Sequence, residues 1–207
     1  MAENMKHEEQ CRIFNRPSIL KRMRDLVKSE IKTGEEHGFL VCKRGEDYRL
    51  TEPCKGTECE IELGHCRDDE EQVGTFHTHG LFSFPSCSDI VTAFERGTRV
   101  NCIGALTCWW LGYPAVMIKC MSIDVDHPEY DKFRDRILKL DEIYGPILSK
   151  WDEESERLSD EEEKKLYDKV IEAHIKFNKV LDEAEKAGVV DRAALLDIKD
   201  LEYDETE

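Results

Sequence analysis

The chain has 207 residues, 40% of them apolar, and a formal net charge of −16. That length suits one domain with an appendage or two small domains, and that apolar share suits a soluble protein with one core. The charge is uneven: residues 1–125 carry 16 basic against 20 acidic side chains, and residues 126–207 carry 14 against 26. Such a surface repels phosphate, which argues against nucleic acid and anionic membrane as partners.

The N-terminal stretch MAENMKHEEQCRIFNRPSIL has no apolar run of the signal-peptide kind. PSILKRMRDLVKSEIKT (17–33) predicts a helix, with Pro17 in its first turn and Ile19, Leu20, Met23, Leu26, Val27 and Ile31 at helical spacing. Gly34 is its stop. GFLVCK (38–43) and DYRLT (47–51) predict a hairpin turning at Arg44-Gly45. ECEIEL (58–63) alternates as a strand does, and QVGTFHTH (72–79) is strand-like. After a polar cluster, SDIVTAFERG predicts a short helix closed by Gly97. VNCIGALTCWW, nearly all apolar, predicts a central strand, and YPAVMIKCMSI another.

The most apolar run, CIGALTCWWLGYPAVMI, is interrupted by Gly-Tyr-Pro and is too short to span a bilayer. The cytoplasm is therefore the expected compartment. All nine cysteines lie at or before Cys120. An odd count without a signal peptide does not read as a disulfide framework, so most are expected to be reduced and packed. Abundant Glu and Lys would suit a thermophile, where intracellular disulfides are an exception to that expectation.

From Pro128 the pattern changes. Phe133, Ile137, Leu140, Tyr144, Ile147 and Trp151 form a heptad-like stripe, with Pro146 expected to kink its helix. Ser159 and Glu162 predict a capping box, followed by a second stripe of Leu166, Val170, His174, Phe177, Leu181 and Ala184. His174, on that apolar face, reads as a packed core histidine. DRAALLDIKDL predicts a short third helix. The expected architecture is an α/β domain (1–124), a mixed sheet flanked by helices, followed by an acidic extension (125–207) built on a helical hairpin.

Chemistry concentrates in GTFHTHGLFSFPSCSDI (74–90). On a strand, His77 and His79 share a face and Thr78 points the other way. Two imidazoles so placed suit tetrahedral Zn²⁺, and Asp89, one turn inside a helix begun at Ser86, supplies a third ligand. Three protein ligands leave a fourth position for water, the catalytic rather than the structural arrangement. Separately, His-x-His is common in strands and Ser-x-x-Asp is an ordinary N-cap.

Together, His77-Thr78-His79 and Ser86-Cys87-Ser88-Asp89 resemble the JAMM (MPN+) zinc metalloproteases, many of which cut isopeptide bonds to ubiquitin-like proteins. The resemblance spans about residues 17–123 and implies a cytidine-deaminase-like α/β core. It implies His77, His79 and Asp89 as zinc ligands, Glu35 as general base and Ser86 as oxyanion donor. Glu35 precedes Gly38 at the family's usual offset; Glu36 is its close rival and, on a strand, faces the opposite side. The spacer GLFSFP is one residue shorter than usual, and Gly80 stands where proline commonly follows the second histidine.

The implied substrates are ubiquitin-like conjugates or peptides. The acidic helices are expected to serve self-association or partner docking, and the alternative function is a non-catalytic scaffold assembling through them. A nucleoside deaminase is excluded, because it needs His-x-Glu and Pro-Cys-x-x-Cys. A cysteine protease built on Cys87 leaves the histidine pair and Asp89 unexplained. A structural zinc on Cys54, Cys59, His65 and Cys66 has no standard finger spacing, so packed or exposed thiols are expected there, with a disulfide from this set the alternative.

Overall fold

A computed structural model describes residues 2–56, 61–79, 85–107, 115–154, 157–192 and 195–196. They form a mixed α/β protein whose chain divides into two compact units. The first comprises Met1–Phe84, Thr98–Ser122 and Asp191–Glu207; the second comprises Pro85–Gly97 and Ile123–Val190. The second thus contains the short helix that follows the histidines as well as the long helical hairpin.

In the first unit, helix α1 (Ala2–Cys11) precedes α2 (Pro17–Thr33). Pro17 suits the first turn because its missing N–H would have no intrahelical acceptor there. Gly34 ends α2 in the left-handed region at φ 71°, donating its N–H to the Glu30 carbonyl. Strand β1 (His37–Arg44) turns tightly into β2 (Asp47–Leu50), with Arg44 opposite Asp47. The short β3 (Cys54–Lys55) pairs the start of β1. The sheet then continues through β4 (Glu71–His79), β5 (Val100–Thr107) and β6 (Ala115–Ile123) in the order β2-β1-β4-β5-β6. β5 is central as expected, parallel to β4 and antiparallel to β6.

The apolar face of α2 covers Phe39, Val41, Phe76, Cys102 and Ile118, joined by Ile13 and Phe14. Gly104 has no side chain where a Cβ would meet Val27 at 2.7 Å and Phe76 at 2.9 Å, so helix and sheet close there. One detail departs from the sequence pattern. Ile31 is 42% exposed, whereas Glu30 is buried at 6%.

The second unit holds α3 (Cys87–Glu95), α4 (Tyr130–Glu154) and α5 (Asp160–Lys186). Arg136 pairs Glu183 at 2.7 Å and Trp151 packs on Tyr167 at 5.5 Å, contacts that define an antiparallel hairpin. The helix α4 runs through Pro146. The buried stripe of α5 is Leu166, Val170, Ala173, Phe177, Val180, Leu181 and Ala184. His174 is therefore not a core residue: Ala173 takes the inward position and His174 is exposed. Tyr130 ties α4 to α3, donating its hydroxyl to the Phe94 carbonyl at 2.7 Å and stacking on the Phe94 ring.

Three further expectations change. The described part of DRAALLDIKDL is not helical but forms β7 (Val190–Asp191) and β8 (Leu195–Leu196), the latter pairing β6. Ile61–Leu63 are not a strand, and the rest of ECEIEL lies outside the described residues, as do Cys108, Trp109 and Trp110. Of the seven described cysteines, four are joined in disulfides rather than reduced. Cys42 is bonded to Cys66, and Cys102 to Cys120. Cys102 and Cys120 are direct partners across the β5–β6 ladder, which brings their sulfurs together. Cys11, Cys54 and Cys87 are free among the described residues. No described helix is long and apolar enough to cross a membrane.

Candidate metal centre

The two histidines lie in the first unit. Gly38 is the partner of His77 across β1 and β4, and a Cβ on Gly38 would come within 2.9 Å of the His77 Cβ. Those two positions therefore share a face of the sheet. By strand alternation His79 shares it too, while Phe76 and Thr78 face α2. The Nε2 atoms of His77 and His79 stand 3.0 Å apart, with ring centroids at 4.8 Å. Two nitrogens bound tetrahedrally to one zinc at its usual bond length stand roughly 3.3 Å apart. The pair fits two corners of such a site to within a few tenths of an ångström. His77 is 6% exposed, so one wall is already removed from water.

Ser86 and Asp89 lie in the second unit. Ser86 caps α3 in extended backbone, and Asp89 is the third residue of the helix. The Asp89 amide donates to Ser86 Oγ at 3.1 Å, and the Ser86 amide and hydroxyl both donate to Asp89 Oδ2 at 2.7 Å. This capping box satisfies helix-end amides and fixes the aspartate rotamer. Ser86 is therefore an N-cap here, with its hydroxyl proton turned to Asp89. His77, His79 and Asp89 have the donor atoms a metal ion takes.

The upstream carboxylates divide unexpectedly. Glu35 is 42% exposed at its side chain and pairs with Lys55 at 2.7 Å. That hydrogen bond and the ammonium charge hold its carboxyl below the usual range. Glu36 is only 7% exposed, and its carbonyl accepts the Gly56 amide at 2.9 Å, extending the ladder that begins at β3. Carried two residues beyond Gly38 and His77, the same alternation sets Glu36 on the histidine face beside His79. Extended backbone continued upstream of His37 would set Glu35 and Glu36 on opposite faces, with Glu36 on the face of the imidazoles.

Other candidates are accounted for structurally. Cys87 is 3% exposed, with its sulfur 3.6 Å from His174 Nδ1. Burial, with Asp89 and Asp141 nearby, pushes its thiol up to about 12, which opposes a thiolate nucleophile. Cys66 is in a disulfide, so the finger-like set with Cys54 and His65 is broken; Cys59 lies outside the described residues. Cys42, Cys66 and Glu70 place ligand atoms within 4.8 Å of one another. Their donors are committed, the sulfurs to each other and Glu70 to Arg49 and the Arg67 amide.

Sequence reasoning missed Glu30. Ile19, Met23, Leu26 and Val27 step along one face of α2, and Glu30 continues that spacing as a charge. A carboxylate on an apolar stripe was the available signal. In comparisons with known proteins, no family model matches the chain and no curated protein matches it.

Proposed function

We propose that the chain is a zinc-dependent hydrolase of peptide or isopeptide bonds, resembling the JAMM metalloproteases, with ubiquitin-like conjugates or peptides as substrates. The observation that carries the reading is the Nε2–Nε2 separation of 3.0 Å between His77 and His79. Asp89 completes the ligand set in this proposal. It comes from the other unit, and the short chain between His79 and the helix begun at Ser86 supports the assignment. Zinc bound there would act as a Lewis acid and lower the pKa of a coordinated water towards 7.

The chain's own residues supply the rest. Glu36, on the histidine face, takes the general-base role, which the exposed and lysine-paired Glu35 fills less well. Ser86 donates to the developing oxyanion once its hydroxyl turns from Asp89. One such preorganised donor is worth on the order of 3 kcal/mol. The cytoplasm is the proposed compartment. The two disulfides then require a protein that keeps them against cytosolic reductants, as thermophile proteins do.

A second reading, a scaffold that assembles through its helices, draws on the exposure of Tyr167, Ile171 and Ile175 at one-turn spacing on α5. Cleavage assays on a panel of ubiquitin-like conjugates and peptides, with and without a chelator, separate the two. Chelator-sensitive hydrolysis supports the enzyme. Metal-independent partner binding without hydrolysis supports the scaffold.

A further inference from the structure

Where α2 ends, its buried face changes from apolar to polar. Glu30, His37 and Thr78 are 6%, 3% and 0% exposed, and no core function explains a carboxylate there. Thr78 Oγ1 accepts the His37 amide at 2.9 Å, so its proton is free to be donated, and the Glu30 carboxylate accepts it. His37 Nδ1 lies 2.6 Å from the Glu35 carbonyl oxygen, which can only accept, so Nδ1 carries the proton. In the neutral ring Nε2 is then the acceptor for the Ser29 hydroxyl, at 3.3 Å. Helix α2 thus holds β1 through Ser29 and β4 through Glu30, and Thr78 joins all three elements.

Thr78 sits between His77 and His79 and points away from them. Whatever fixes its side chain fixes the backbone that aims both imidazoles. We infer that Glu30 and Thr78 are positioning residues for the His77–His79 pair: a buried carboxylate, hydroxyl and amide that clamp β4 from behind and set the spacing of the two Nε2 atoms. The role in metal binding rests on the function proposed above.

The test uses the full-length chain with zinc, and with cobalt as a spectroscopic probe. Thr78→Val keeps the shape but removes both hydrogen bonds, and zinc should then bind roughly 10- to 100-fold more weakly, the usual cost of losing an outer-shell partner. Thr78→Ser should restore the affinity and the cobalt absorption spectrum. Glu30→Gln, which can still accept the hydroxyl proton but carries no charge, should fall between them. If Thr78→Val does not fold, Glu30→Gln decides: wild-type affinity and spectrum in that folded variant overturn the inference, as they would in Thr78→Val. A wild-type chain that binds no zinc defeats the proposed function instead. The clamp is then read in the metal-free protein from the ¹⁵N imidazole resonances of His77 and His79. They should move in Thr78→Val and return in Thr78→Ser, and resonances that stay put contradict the clamp.

Discussion

Gly38 and His77 are cross-strand partners, and the space that a side chain at Gly38 would occupy is already filled. A Cβ there would meet Leu63 Cδ2 at 2.5 Å, the Phe76 carbonyl at 2.6 Å and the His77 Cβ at 2.9 Å. Leu63 can move, but the carbonyl cannot without disturbing β4. Gly38→Ala should therefore destabilise the protein by about 1–3 kcal/mol, as overpacking does, and weaken metal binding by pushing on His77. Chemical denaturation checks the first effect and zinc titration the second. An alanine variant with unchanged stability would show that the strands part more easily than this packing allows.

The segment carrying Leu63 is held at two points. The Cys42–Cys66 disulfide closes 24 residues of sequence. Replacing both cysteines by alanine should cost roughly 3 kcal/mol by the loop-entropy account. Glu70 is the second point: two hydrogen bonds from Arg49 and one from the Arg67 amide hold its carboxyl down to about 2, against 4.5 ordinarily. A depressed carboxylate stabilises above its unfolded pKa, and the benefit disappears as pH falls through the folded value. Protection of residues 61–70 from hydrogen exchange, taken relative to the intrinsic rate at each pH, should thus be high above pH ~4.5 and fall towards pH ~2. A loss of protection already at pH 6 would point away from Glu70.

Tyr130 supports the helix that carries Asp89. Tyr130→Phe removes a buried hydrogen bond to the Phe94 carbonyl and should cost about 1 kcal/mol. Truncation after Ser122 should do far more. It removes α4, which stacks on α3 through Tyr130, and also β8, which pairs with β6. Such a chain should lose zinc along with stability. Retention of full zinc affinity by the truncated chain would refute this dependence.

Cys87 beside Ser86 invites a thiol mechanism, but its sulfur is buried at 3% exposure and its thiol is pushed up to about 12. Cys87→Ala should keep most hydrolytic activity. Complete loss with zinc still bound would revive the thiol reading.

How far the sequence could be read depended on whether the signal was local. The ends of α2, the β1–β2 hairpin and the capping box at Ser86 are fixed by Pro17, Gly34, Gly45, Ser86 and Asp89, whose backbone demands act over a few residues. The histidine face of β4 followed from alternation alone. Which of Glu35 and Glu36 meets that face turns on the phase of β1 against β4, set by a partner some forty residues away. The same holds for Cys42–Cys66 and Cys102–Cys120, which only the finished sheet and its neighbouring segment bring together. His174 failed for a narrower reason. Ala173 beside it satisfies the same helical stripe, and an alanine in such a stripe is easily passed over.

The most direct measurement is the zinc content of the purified chain and four variants, by atomic emission, with hydrolysis followed on the same samples. The account predicts close to one zinc per chain, little in His77→Ala or Asp89→Asn, and full zinc with hydrolysis down by a factor of ~10² or more in Glu36→Gln. Glu35→Gln should keep both, since Glu35 points to Lys55. A dead, zinc-loaded Glu35→Gln would return the base to that residue. A wild-type chain without bound metal, or an Asp89→Asn variant with all of it, would contradict the metal centre itself.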